Sequence, residues 1–228
     1  MRKKLLIISK MIIVIFLPIV ILLGSLKAYA LNEEFYMKEF KKYDIVQNIH
    51  INEASLHKIA TGIVNYLKDD EKDLLIFIEK NGEYVEAFGQ KEKLHMKDVK
   101  ILFQRGYILK NISLFLVGFA FLIIIKFSNI WKDILGKSLI QASIISFVFI
   151  FFLYVLMNID FYQYFIYFHK IFFNNNLWLL DPKTDLLIQI LPLEFFIDIA
   201  QRTLMLFLGI MFLTGWIGFV LVRHVMKI

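Results

Sequence analysis

The chain has 228 residues, 59% of them hydrophobic, and a mean hydropathy of +0.65; soluble domains run about 45–50% apolar, so an ordinary soluble fold is excluded. Lys+Arg number 26 against 20 Asp+Glu, a net +6, but the cations flank apolar runs, so the charge reports membrane topology and argues against nucleic-acid binding. Cysteine is absent, which leaves neither a disulfide nor a thiol nucleophile.

A helix needs about 20 apolar residues to cross about 30 Å of hydrocarbon. Four runs meet that length: Met11–Leu26, extended upstream by Leu5–Ile8, then Tyr107–Ile125, Ile134–Ile159 and Ile199–Val222. Arg2, Lys3 and Lys4 precede the first run. Lys126, Lys132 and Lys137 lie at the short connection between the second and third, and Arg223, His224 and Lys227 follow the fourth. Short cytoplasmic segments carry the Lys/Arg excess, so both termini are expected inside. The expected fold is an all-α membrane bundle of four transmembrane helices with a small α+β extracytoplasmic cap. Helix 1 spans 1–26, the cap 27–106, helix 2 107–125, a cytoplasmic loop 126–133 and helix 3 134–159. An outer interfacial loop spans 160–198, helix 4 199–222 and a cytoplasmic tail 223–228. The first run has a rival reading as a signal peptide ending at Ala28-Tyr29-Ala30, but it is longer than the usual h-region of about 7–15 residues, which favours a retained helix.

Within the cap, Asn52 precedes a stripe of Leu56, Ile59, Ala60, Ile63, Val64 and Leu67 at helical spacing, which predicts a capped amphipathic helix. Leu74–Ile78 and Tyr84–Phe88 flank Asn81-Gly82, the strongest short hairpin signal. Leu94–Phe103 has helical periodicity and no breaker before Gly106, so it is expected to lead into the second span. The outer loop is too aromatic to be free. Trp and Tyr favour the headgroup level, so it is expected to lie in the interface, with turns at Asn174-Asn175-Asn176 and Asp181-Pro182.

These outer segments resemble the lipoprotein intramolecular transacylase family of bacterial membrane proteins. One stretch is His95-x-x-Asp98-Val99-Lys100. The other begins Phe168-His169-x-x-Phe172-Phe173 and continues through Trp178, Asp181-Pro182, Asp185-x-Leu187-Ile188 and Pro192-x-x-Phe195-Phe196. The second fixes several residue types at set spacing and is the more specific. The resemblance implies that the substrate is a diacylglyceryl-modified lipoprotein, whose sn-2 acyl chain moves to the α-amino group of its lipidated N-terminal cysteine, giving the lyso form. It implies two catalytic histidines, His95 and His169, and no ATP, metal or acyl-CoA.

That reaction is the aminolysis of an ester, which needs a deprotonated amine and a stabilised carbonyl oxygen. An α-amino group titrates near 7.7–8.0 and a histidine near 6.5, close enough for proton transfer at neutral pH. Nucleophile and ester share one molecule, so fixing a near-attack geometry is the main task. Ser113 and Ser143 remain possible nucleophiles in principle. The expectation here is that His95 is the base, with Asp98 one helical turn on to orient its ring. Asn174, Asp181 and Asp185 are candidates to orient His169 or to bind the amine. Arg105, Lys110 and Trp178 are candidate substrate contacts.

Each has a plainer reading. His95 and Asp98 suit a solvated helix start, and His169 and Trp178 suit interfacial anchors. Asp181 and Asp185 suit turns, and Arg105 and Lys110 suit side chains snorkelling to headgroups. His50 and His57 read as ordinary domain residues, and the spacing of the outer histidines matches no metal-site pattern. A straight helix rises about 1.5 Å per residue, which lifts His95 roughly 18 Å from the second apolar run unless the cap tilts, the helix breaks near Gly106 or the boundary lies nearer Ile101. Two rival functions stand beside the transacylase. A lipid ester hydrolase would use the same histidines with water, and a lipoprotein-binding scaffold would not need them.

Overall fold

The computed structural model describes residues 2–49, 51–80 and 82–225. His50, Asn81 of the expected hairpin turn and the tail cation Lys227 lie outside them. The elements run in order α1 (Arg2–Ala30), α2 (Glu33–Lys42), α3 (Ile45–Ile49), α4 (Glu53–Lys68), β1 (Phe77–Lys80), β2 (Glu83–Glu86), α5 (Gln90–Phe127), α6 (Trp131–Phe172), α7 (Leu186–Ile190) and α8 (Leu193–Val225). Among the described residues, four helices are long and apolar enough to cross a membrane: α1, α5, α6 and α8. The chain divides into two compact units, one of residues 1–26, 106–159 and 201–228, the other of residues 27–105 and 160–200.

The described residues of the first unit are helical apart from the turn at 128–130 that joins α5 to α6. Ile13 of α1 packs with Ala120 and Ile124 of α5 and Leu135 and Leu139 of α6. Ala142 and Ile150 of α6 pack with Phe207 and Met211 of α8. Only 11–28% of each helix's most apolar window is buried. Phe115, Phe151 and Met205 face outward, an arrangement that needs hydrocarbon around it, since soluble proteins rarely show large apolar patches. With lipid outside, close backbone approach replaces the hydrophobic effect as the force between helices. α6 and α8 meet through glycines: a Cβ built on Gly136 would stand 2.6 Å from the Gly218 carbonyl oxygen, and one on Gly218 the same distance from that of Gly136. Ser143 Oγ donates to the Met211 carbonyl at 2.8 Å, across the same pair of helices.

The second unit combines α2, α3, α4, the hairpin, the first turns of α5, the last turns of α6, α7 and the start of α8. Asn52 caps α4 as its sequence demands, accepting from the Ser55 N–H at 2.7 Å, and the predicted apolar stripe is buried. The strands pair antiparallel, Phe77 opposite Glu86 and Lys80 opposite Glu83. They are shorter than expected. Leu74, Leu75 and Ile76 precede β1, although the Ala87 N–H still donates to the Ile76 carbonyl at 2.8 Å. α2 has no counterpart in the sequence reading. Asn32 caps it by accepting from the Phe35 N–H, and Phe35, Tyr36 and Phe40 are buried. Its end is fastened to α8: Lys42 Nζ pairs with Asp198, and Tyr43 Oη donates to the same carboxylate at 2.6 Å.

Two backbone features bear on the site. α5 is continuous through Gly106, so the break considered there does not occur. α6 is interrupted at Asp160, whose φ and ψ of −160° and 87° are not helical. Asp160 Oδ1 accepts from the Gln163 N–H at 3.0 Å, so a new helical segment starts there with its own cap. That segment carries His169.

Candidate functional site

His95 and His169 come together within the second unit, their ring centroids 5.9 Å apart. Both are buried. His95 stands in the second turn of α5, and His169 in the last turn of α6. Phe173 packs against both rings, at 5.3 Å from His95 and 5.5 Å from His169. Phe165 lies 4.3 Å and Trp178 4.9 Å from His169. The aromatic density of this loop therefore serves to enclose an imidazole.

The histidines differ in what they bond. His169 Nδ1 lies 2.7 Å from the Phe165 carbonyl oxygen. A carbonyl can only accept, so Nδ1 carries the proton and Nε2 presents a lone pair. His95 Nδ1 is buried and has no hydrogen-bond partner among the described residues. Burial lowers the His95 pKa from 6.5 to about 4, with the neighbouring His169 adding to the shift and Asp98 opposing it. Burial also lowers His169, while its bond to the Phe165 carbonyl works the other way. Both rings are neutral at neutral pH.

Asp98 does not take the orienting role expected of it. Its Oδ2 accepts from Asn175 Nδ2 at 2.8 Å, so it ties α5 to the asparagine turn and reaches His95 only as a nearby charge. Asn174 makes no bond to His169, whose Nδ1 is taken by the helix backbone. Instead Asn174 joins Lys170, Phe173, Asn176 and Trp178 around an open cleft of about 470 Å³ that neither histidine lines, although its Phe173 and Trp178 pack on the His169 ring. Asp181 and Asp185 shape a turn: Asp185 Oδ2 accepts from the Asp181 N–H at 2.7 Å, and Asp181 Oδ1 from the Lys183 N–H at 2.9 Å. Arg105 is exposed in the second unit and Lys110 half-buried in the first, and among the described residues neither bonds to the histidines. Ser113 and Ser143 belong to the first unit. His57 and His224 are exposed, and among the described residues no three His, Asp or Glu side chains converge as metal ligands would.

Two residues of this region were given no role from the sequence. Lys100 closes the motif that begins at His95, yet points away from the chemistry: buried, its Nζ donates to the Glu71 carbonyl at 2.6 Å, pairs with Asp69 at 2.7 Å and lies over the Tyr66 ring. It locks α5 against the end of α4, where Asp69 adopts a left-handed φ of 71°. Glu92 is also buried. Its Oε2 accepts from the Gly89 N–H and its Oε1 from the Leu187 N–H, each at 2.6 Å. The signal for the first bond was present as Gly89-x-x-Glu92, the spacing of a capping box; the second links segments 95 positions apart, which no local pattern encodes.

Fold and site together define a multi-pass helical membrane protein with a buried histidine pair in its α/β unit. The model of the family "lipoprotein intramolecular transacylase Lit" matches residues 11–196, and the chain belongs to that family. Solved structures agree on the fold. The integral membrane lipoprotein intramolecular transacylase Lit from Bacillus cereus superposes with a TM-score of 0.86 at 20% identity, covering 99% of this chain and 100% of that one. Two structures of the same protein with a substituted histidine, one to arginine and one to alanine, give TM-scores of 0.80 and 0.81 at 19% identity. They cover 99% of this chain and 95% and 97% of those chains, respectively. No curated protein matches by sequence search.

Proposed function

We propose that this chain transfers the sn-2 acyl group of a diacylglyceryl lipoprotein to the α-amino group of its own N-terminal cysteine, with His95 and His169 as the catalytic residues. The observation that carries the reading is the pair itself: two buried, neutral imidazoles 5.9 Å apart, in a chain of this family. The uncharged amine attacks the ester carbonyl, a C–N bond forms and the carbonyl oxygen gains charge. The amine nitrogen turns acidic as it bonds, and its proton passes to a lone pair on imidazole. Collapse breaks the C–O bond, and the glyceryl oxygen leaves with the proton returned by the imidazolium, which restores both histidines to neutral. Ester plus amine becomes amide plus alcohol with no change in total mass. No cofactor is required, because nucleophile and ester are already on one molecule.

The tautomer bears on the roles. With Nδ1–H given to the Phe165 carbonyl, His169 has Nε2 available as base, and the carbonyl stabilises the imidazolium that forms, much as a carboxylate does in a serine-hydrolase triad. His95 is the weaker base, since its conjugate acid is held near 4, so it suits polarising the carbonyl and handling the leaving oxygen. This reverses the roles expected from sequence, and it follows from Asp98 being engaged with Asn175. The Lys/Arg distribution supports both termini inside and the histidines on the outer face, where the cleft beside His169 opens. The acyl chains enter laterally from the bilayer.

The test is mass spectrometry of a purified diacylglyceryl lipopeptide treated with wild-type protein and with His95→Ala and His169→Ala. Wild type should yield an N-acyl, monoacylglyceryl product of unchanged mass, and each variant should lose it. Free fatty acid without N-acylation would replace the transacylase by a hydrolase. Substrate binding with no turnover, unaffected by both substitutions, would leave a scaffold.

A further inference from the structure

Around His95, the chain from Asn175 to Leu187 is laced to α5 at three points. Asp98 holds Asn175, Lys91 Nζ donates to the Leu179 carbonyl, and Glu92 takes the Leu187 N–H. These α5 residues lie at −4, −3 and +3 from His95, so they bracket it on one helical face. Lys91 is exposed and Asp98 half-buried, whereas Glu92 is only 3% exposed. Charge-assisted bonds to a buried carboxylate are roughly twice as strong as neutral ones.

Glu92 also does what α7 cannot do for itself. The four leading N–H groups of a helix lack partners within it. Asp185, the N-cap of α7, makes no side-chain bond to that helix, because its carboxylate is spent on the Asp181 N–H. Glu92 supplies the missing acceptor from another helix while closing the start of its own at Gly89. One side chain thus caps two helices. α7 is anchored there by the burial of Leu186, Leu187 and Ile190, and the loop leading into α7 carries Trp178, which covers the His169 ring.

We infer that Glu92 is a positioning residue of the acyl transfer: it holds the Trp178 loop and α7 at a fixed place against the helix that carries His95, and so sets the geometry of the histidine pair. The inference rests on the proposed function. Among the described residues Glu92 bonds to the Gly89 and Leu187 amides and to neither histidine, so its loss acts on alignment and leaves both imidazole proton acceptors in place. Near-attack chemistry is steep in distance, and a misplacement of about 1 Å can cost 10²-fold.

The experiment compares Glu92→Ala and Glu92→Gln with wild type in detergent, reading kcat and KM per folded molecule on a diacylglyceryl lipopeptide, and hydrogen–deuterium exchange over residues 185–190. Glu92→Ala should lower kcat by tenfold or more with KM within about twofold, and should speed exchange at the Leu187 amide. Glu92→Gln, which keeps one acceptor oxygen, should fall between. If Glu92→Ala does not fold, Glu92→Gln against wild type decides alone. Wild-type kcat per folded molecule in the variants overturns the inference, and so does unchanged exchange over 185–190. A wild type that exchanges slowly there but makes no N-acyl product refutes the transacylase reading and the positioning role with it; slow exchange lost in Glu92→Ala still establishes the clamp. The two failures are thereby told apart.

Discussion

His169 Nδ1–H donates to a helix carbonyl, whereas the buried Nδ1 of His95 has no hydrogen-bond partner among the described residues, so two identical side chains are made chemically different by one backbone bond. Positioned acid–base groups contribute about 10²–10⁴-fold, so His169→Ala should lower kcat by that range, measured as N-acyl product per minute. Asp98→Asn should cost less than tenfold, because asparagine can still pair with Asn175; a loss as deep as that of His169→Ala would restore Asp98 as the orienting group. The pH behaviour follows from the depressed pKa of His95. The unfolded chain binds a proton at about 6.5 that the folded chain takes up only near 4. Stability is therefore complete above about 6.5 and declines as pH falls toward 4. His95→Asn should flatten that part of the curve in denaturant titrations between pH 6.5 and 4. The acid limb of kcat/KM should instead follow the substrate amine, near 7.7–8.0, because both imidazoles are already neutral there.

At the scale of elements, the site depends on bonds between segments far apart in the chain. Lys100 fastens α5 to the end of α4. Lys100→Met leaves Asp69 and the Glu71 carbonyl without it and should destabilise the protein by about 1–3 kcal/mol, the range for losing hydrogen bonds to a charged group, read from the shift in denaturant midpoint. The local elements were legible before the structure. Asn52 with its apolar stripe announced α4, and Asn81-Gly82 between β-rich runs announced the hairpin. α2 was overlooked because it is short and its buried face consists of Phe35, Tyr36, Glu39 and Phe40, a charged residue among aromatics with no aliphatic run to mark it. The outer loop was expected to lie in the interface on its aromatic density, with turns, whereas its first third, 160–172, is a helical segment of α6 that carries His169.

At the scale of the molecule, hydropathy alone located the four long helices, since about 20 apolar residues are a demand of the bilayer and need no tertiary information. The histidine pair was legible only through resemblance: nothing local brings residues 74 apart in sequence (169 minus 95) to 5.9 Å. The division of labour between them was not legible at all, because the Phe165 carbonyl is a backbone group available at every position. The glycine crossing of α6 and α8 is a separate commitment. Gly218→Val places a branched side chain against the Gly136 carbonyl and should cost about 1–3 kcal/mol, as overpacking does, seen as a lower midpoint of thermal unfolding in detergent.

Intramolecular acyl transfer by the histidine pair is tested most directly by the mass spectrum of a lipoprotein N-terminus. The chain is expressed in a bacterial host whose lipoproteins lack N-acylation, beside a His95→Ala, His169→Ala double variant of equal abundance. Wild type alone should give an N-acyl, monoacylglyceryl cysteine of unchanged total mass. A diacylglyceryl cysteine left unaltered by abundant wild-type protein would contradict that transfer.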